Sequence, residues 1–298
     1  VVHFGDQQVF AGVTTYTCML FLGKHPNESL QFTRVSDIVR WQQGEIQTEG
    51  IIQADTVTTS EWNFVVGGGT NLNERLAAMP TKLGDVARMF VGLQTSADTV
   101  FLFKKFEKVD SSIYRCYSKE LDHEVEIEAE LLKPVVRSGS IGRYWAIPTA
   151  LVLFPYRVVD GKATLLSEDD LTKRYPRAWH YLTQNRTLLA GRENGKFREI
   201  GWHQLYPKNL DTWEQPKLML PYMITRLAAH LDEDANYFVN VTTGGFGITI
   251  DKAAGSLKYF AGILNSKLLD WFLRNVSTTF HGGYFAANKQ FLVQLPIR

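Results

Sequence analysis

Short apolar runs rich in β-branched and aromatic residues, each cut off by glycine, proline or a polar turn, recur along the whole sequence. Residues 14–22, TTYTCMLFL, are the first clear case and read as a buried strand. An antiparallel pair with the segment around residues 1–4 is expected, joined through a turn at 10–12. Residues 30–35 and 50–57 read as strands separated by the polar turn 42–44. A short helix is expected over 71–78, after three glycines at 67–69. Residues 83–106 read as two strands around the polar turn 94–98, residues 113–121 as another strand, and 127–136 as a short helix stopped by Pro134. A strand follows over 149–158, with a hairpin signal at Asp160-Gly161. Acidic residues at 168–170 suit a helix N-terminus, and Pro176 should split the helical stretch 167–192 in two. The segments 217–223 and 236–241 read as strands, 257–276 as one apolar helix, and 291–297 as a last extended segment. Strands and helices are mixed without regular alternation, which predicts an α+β fold.

Hydrophobic residues make up 45% of the 298 and charged residues 21%, enough for a real core and too apolar for disorder. No apolar run is long enough to span a bilayer as a helix, and no signal-peptide pattern opens the sequence. The two cysteines, Cys18 and Cys116, are expected to be buried thiols of a protein in a reducing cytoplasmic setting. A formal charge of +1 neither demands nor excludes a nucleic-acid partner, because a basic face can be offset by an acidic one.

A search for catalytic motifs finds no GxSxG elbow, P-loop, HExxH or GxGxxG. The glycine cluster at 244–247 lies between strand-like runs, where a hairpin turn fits better than a phosphate cradle. His180 and His203 read as polar surface or cap residues. Glu124, Glu126 and Glu128 alternate along one strand face, which suits either a solvated face or a paired-carboxylate metal site for a nuclease. No catalytic residue and no metal ligand is assigned. Polar and aromatic loops remain: 94–98, RSGSIGRY at 137–144, 242–247 and FHGGYFAAN at 280–288. Arg137 and Arg143 carry the fork that grips guanine edges or phosphates, and Gln94 could pair with adenine. The same loops could equally be ordinary surface turns.

The ordered set of segments FGDQQVF…VTTYTCMLFL (4–22), LGDVARMFVGLQTSADTVFLF (83–103), ELLKPVVRSGSIGRY (130–144), YLTQNRTLLAGR (181–192), WHQLYP (202–207), PKLMLPYM (216–223), YFAGILNSKLLDWFL (259–273) and LPI (295–297) resembles the C-terminal part of the TaqI-like DNA adenine-N6 methyltransferases, including fused restriction–modification enzymes. The resemblance implies three segments. Residues 1–24 would be the last strands of a methyltransferase core, a small β-rich remnant of its sheet. Residues 25–81 would be a β-rich connection, and 82–298 a target-recognition domain. It implies that Phe10 stacks on a flipped adenine. It further implies that Gln94, Thr95, Arg137, Ser138 and Arg143 face double-stranded DNA, with His281, Tyr284 and Lys289 contacting it near the C-terminus. The family's cofactor-binding glycine motif and its Asn/Asp-Pro-Pro-Tyr/Phe motif lie before the matching part, and this sequence contains no Pro-Pro. No cofactor is therefore expected in this fragment. S-adenosyl-L-methionine and an upstream methyltransferase domain are expected in the parent protein. The alternative implied by the same match is a stand-alone specificity subunit that docks a separate methyltransferase.

Overall fold

A computed structural model describes all residues except 14, 46, 58–61, 63, 200, 207, 210, 211 and 240–243. Ten helices of α type and many short strands, gathered in several separate sheets among the described residues, give the mixed α+β class. The chain divides into two compact units. One is formed by Val1–Val86, Met223–Leu227 and Ile263–Arg298, the other by Ala87–Tyr222 and Ala228–Gly262.

The second unit is built on a long hairpin, Leu132–Gly142 against Trp145–Leu153. Leu151, Val152, Leu153 and Phe154 are all buried, as expected of a strand covered on both faces. Tyr237–Phe238 adds in parallel on one side, and Leu102–Phe103 antiparallel on the other. A second sheet has the order His230–Asp232, Lys217–Pro221, Gly245–Ile250, Ala87–Val91. Here the backbone of Gly247 lies against the Phe90 ring, where a Cβ would meet ring carbons at 2.3 Å. Lys217 and Asp232, both fully buried, pair at 2.5 Å across the first two strands. Burial pulls the Lys217 ammonium down, and the Asp232 charge opposes that shift. Asn236 donates to the same carboxylate, so the buried charges are fully engaged.

Three helices, Glu168–Arg174, Pro176–Gln184 and Arg186–Gly195, close this unit. The break at Pro176 is the one expected, but a second break at Asn185, outside helical geometry, makes three helices where two were expected. Ser167 caps the first helix by accepting from the Asp170 amide at 3.0 Å. At the start of the second helix the Glu128 carboxylate accepts from the Arg177 and Ala178 amides, both at 2.9 Å. Glu124 and Glu126 face Arg115 on the neighbouring strand. These carboxylates are thus a capping group and members of a surface ion-pair cluster.

The first unit holds a four-stranded sheet in the order Cys18–Met19, Val2–His3, Ser29–Arg34, Thr48–Gln53. The expected antiparallel pair is present, with Val2 opposite Met19, and a backbone bond from Val13 to Phe10 closes the turn at 3.2 Å. The buried strand expected over 14–22 is not: among the described residues Cys18–Met19 pairs on one side only, and Phe21 and Leu22 are 73% and 84% exposed. Cys18 is exposed as well, contrary to expectation. Residue 14 lies outside the described residues.

Three further expectations fail for local reasons. The stretch 127–136 is a strand entered through one turn of 3-10 helix, Ala129–Leu131. Val135 and Val136 are both fully buried there, and Pro134 sits in the extended ladder opposite Leu151. The helix expected over 257–276 is two, Leu257–Leu264 and Lys267–Val276. Ser266 takes an extended backbone and accepts from the Leu269 amide, so it starts a new helix. The extended stretch expected over 291–297 is the short helix Lys289–Leu292 followed by the strand Pro296–Ile297. Part of the expected strand 236–241, and residues 242 and 243 of the 242–247 loop, lie outside the described residues.

Candidate functional site

In the second unit, the loop 94–98 is held rigidly from below. Thr95 is buried, and its hydroxyl donates to the Asp98 carboxylate while accepting from the Ala97 amide at 3.1 Å. Ser96 has a positive φ of 50° and donates to Glu193 at 2.6 Å. The Gln94 carbonyl accepts from the Tyr206 amide at 2.8 Å, and its side chain is half-buried. Beneath the loop sits Arg192, 6% exposed. Its guanidinium donates to the carbonyls of Thr95 at 2.5 Å, Leu189 at 2.9 Å, Trp202 at 2.8 Å and Gln204 at 2.7 Å. It also lies over the rings of Phe101 and Phe197. Burial lowers its pKa to about 10. Sequence reading missed Arg192, because an arginine in a helical run carries no sign that it will be buried.

The second element is the tip of the long hairpin. Its register shifts between Val136 and Ile141, leaving residues 137–140 as a bulge. Ser140 fastens that bulge, its hydroxyl accepting from the Arg137 amide and donating to the Arg137 carbonyl, both at 3.0 Å. Ser138 and Arg137 are half-buried on this bulge, and Arg143 is half-buried nearer the tip. The Trp145 indole covers Gly142, where a Cβ would meet it at 2.2 Å, so a side chain there would displace the ring. Tyr144 is held at a φ of 64°, a region that non-glycine residues seldom occupy, and is 64% exposed. Trp145 and Ile147 are also exposed, which makes the tip both aromatic and cationic.

In the first unit, Phe10 is 59% exposed on its turn, so it is not a core residue closing a hairpin. The segment 280–288 is a hairpin, Thr279–Phe280 against Tyr284–Ala286, turned by Gly282 and Gly283 at φ of 80° and 77°. The His281 amide donates to the Tyr16 hydroxyl at 2.9 Å. The side chains of His281, Tyr284 and Lys289 are exposed. Five of the nine expected contact residues therefore share the second unit, and Phe10, His281, Tyr284 and Lys289 share the first.

No cluster of three or more His, Cys, Asp or Glu side chains suited to a metal occurs among the described residues. Burial raises the Cys116 thiol to about 12, far from a nucleophile's range. His203, expected at the surface, is buried between Trp179 and Trp202, and one ring nitrogen bonds to the Leu166 carbonyl at 2.9 Å. Burial keeps its pKa below the ordinary imidazole value.

The described residues thus place arginines and aromatics on loops anchored to a mixed scaffold. Residues 160–297, just under half of the chain, match the TaqI-like C-terminal specificity domain. The chain is 26% identical over 332 aligned residues to the type II restriction enzyme and methyltransferase RM.Eco57I of Escherichia coli, covering all of this chain and 31% of that protein. It is 26% identical over 168 residues to the type II methyltransferase M.BanIII of Aneurinibacillus aneurinilyticus, covering 55% of this chain and 25% of that one. The chain thus spans less than a third of the first relative's length. The family match contains His281, Tyr284 and Lys289, whereas the loops 94–98 and 137–144 precede it.

Proposed function

We propose that this chain is the sequence-recognition part of a DNA adenine-N6 methyltransferase or fused restriction–modification enzyme. It positions a target adenine for S-adenosyl-L-methionine-dependent methylation by a catalytic domain of the same polypeptide. The carrying observation is the alignment of the entire chain with a relative whose name joins restriction enzyme and methyltransferase in one protein. That alignment also favours a fused module over a separate specificity subunit. Side-chain chemistry supports the division of labour. The aromatic, cationic tip at 143–145 suits a DNA groove, and a half-buried arginine can hold a base edge bidentately. Phe10, solvent-exposed on a turn, offers the ring face that an extruded base needs to recover lost stacking. Thr95, with its hydroxyl engaged inside its own loop, shapes that loop rather than reading a base.

Selection from a random duplex library with the full-length protein tests this reading. One short sequence should emerge, bound at least about 10³-fold more tightly than scrambled duplex. Incubation with S-adenosyl-L-methionine should then leave N6-methyladenine within it. Failure to enrich any sequence, or a methyl group on cytosine, would overturn the proposal.

A further inference from the structure

A groove of about 680 Å³ runs along the second unit beside the bulge of the long hairpin. Lys104, Lys105, Lys119 and Arg137 line it. The three lysines are exposed, and none of the four is ion-paired among the described residues. Two carboxylates also border the groove, and each already has a partner. Asp98 accepts from the Thr95 hydroxyl, and Asp122 accepts from the Tyr117 hydroxyl. The Lys105 ammonium lies 5.2 Å from the centre of the Tyr117 ring. Between the cations, half-buried Leu102 and the aliphatic stems of the exposed lysines give an apolar surface over a floor of buried Val135, Ala150 and Val239. Four cations against two carboxylates leave a local excess of two positive charges at one groove, in a chain whose net charge is only +1.

We propose that this groove is a sequence-independent clamp for one sugar–phosphate strand of duplex DNA. The occupant follows from the alternation of chemistry. A DNA strand presents anionic phosphates separated by deoxyribose, whose C–H faces are apolar. Lysine ammonium groups act as point charges toward phosphate, and the aliphatic surface accommodates the sugars between them. Readout of adenine or cytosine would call for free amide or carboxylate groups at defined positions, and readout of guanine for a planar fork, which a lysine ammonium lacks. No Asn or Gln lines this groove, and both of its carboxylates are occupied. The consequence for Arg137 is a change of role, since it serves affinity and register while Arg143 is left as the candidate base reader. This inference rests on the DNA-recognition reading above.

The test uses the full-length protein, the selected duplex and a random-sequence duplex of equal length, each titrated over a range of salt. The variants are Lys104→Gln/Lys105→Gln/Lys119→Gln and Arg137→Gln, with thermal unfolding as a check on folding. The triple variant should weaken both duplexes by the same factor and reduce the salt slope by about 2.7, or ~0.9 for each phosphate released. Arg137→Gln should do the same with a reduction of about 0.9. The preference for the selected sequence should stay unchanged in both. Unaltered affinity and slope in folded variants would overturn the clamp while leaving the recognition reading intact. Loss confined to the selected duplex would overturn it too, because the groove would then read bases. Saturable binding of dAMP that the variants lose, with duplex binding unchanged, would assign the groove to a free nucleotide instead. Absence of sequence preference in the wild-type protein would sink the recognition reading itself.

Discussion

At the scale of single residues, two buried side chains stand under the candidate interface. Arg192 spends its guanidinium on four backbone carbonyls and stacks between two phenylalanine rings. A lysine has three donors on one nitrogen and no planar fork, so it cannot reach all four acceptors. Arg192→Lys should cost about 2–4 kcal/mol in urea unfolding, since buried carbonyls lose their partners. A loss under about 0.5 kcal/mol would mean that solvent satisfies those carbonyls. His203 makes the second case. Its folded pKa lies below the ordinary value, burial being the first cause and Arg192 a lesser one. Protonation therefore favours the unfolded chain. The stability it contributes is whole above about pH 6.5 and declines as pH falls from there toward the folded pKa. His3 is shifted the same way by its own burial, so the useful quantity is a difference between proteins. Wild type should lose stability faster than His203→Gln between about pH 6.5 and 5, by up to ~1.4 kcal/mol per pH unit. Parallel curves would show that His203 does not titrate on unfolding.

At the scale of elements, the hairpin tip sets stability against recognition. Tyr144 holds a left-handed backbone that glycine would adopt without strain, and its ring is solvent-exposed. The amide that bonds to the Ala229 carbonyl at 3.2 Å would survive the substitution. Tyr144→Gly should stabilise the protein by about 0.5–1 kcal/mol, as relief of a positive φ allows. DNA affinity should nonetheless fall by about 1 kcal/mol if the ring packs on the duplex. Higher stability with unchanged affinity would remove Tyr144 from the interface. The tip also shows what a sequence can disclose. Arginine, serine and glycine at 137–143 mark a polar turn region, and Asp-Gly, Pro176 and the acids at 168–170 mark element ends by chemistry confined to a few neighbours. The strand at 132–136 was hidden, since Leu-Leu-Lys-Pro-Val-Val suits a capped helix until long-range partners bury both valines. The break at Asn265-Ser266 was hidden for the opposite reason. The apolar spacing continues across it, and only the serine's extended backbone ends the first helix. Loop positions were thus legible, but the burial of Thr95 was not, because Arg192 stands nearly a hundred residues away in sequence.

At the scale of the whole molecule, the proposed function separates recognition from chemistry. Net charge is +1, so attraction to DNA has to come from local features such as the cationic groove and not from bulk charge. Methyl transfer to an exocyclic amine needs more than attraction. The base must leave the stack, its nitrogen must be held by acceptors, and the methyl donor must lie in line. Of those requirements, this chain offers an aromatic face at Phe10, while the Asn/Asp-Pro-Pro-Tyr/Phe sequence that the TaqI-like resemblance associates with the acceptors is not among its residues. Purified residues 1–298 should therefore bind duplex DNA with a steep salt dependence, yet transfer no tritium from labelled S-adenosyl-L-methionine. Both measurements are made on one preparation, so a misfolded sample reveals itself by failing to bind. Turnover by this chain alone would place an unrecognised methyl-transfer site within it. Binding without turnover, restored to turnover on addition of the separately expressed preceding segment, would assign target choice to this chain and bond-making to its neighbour.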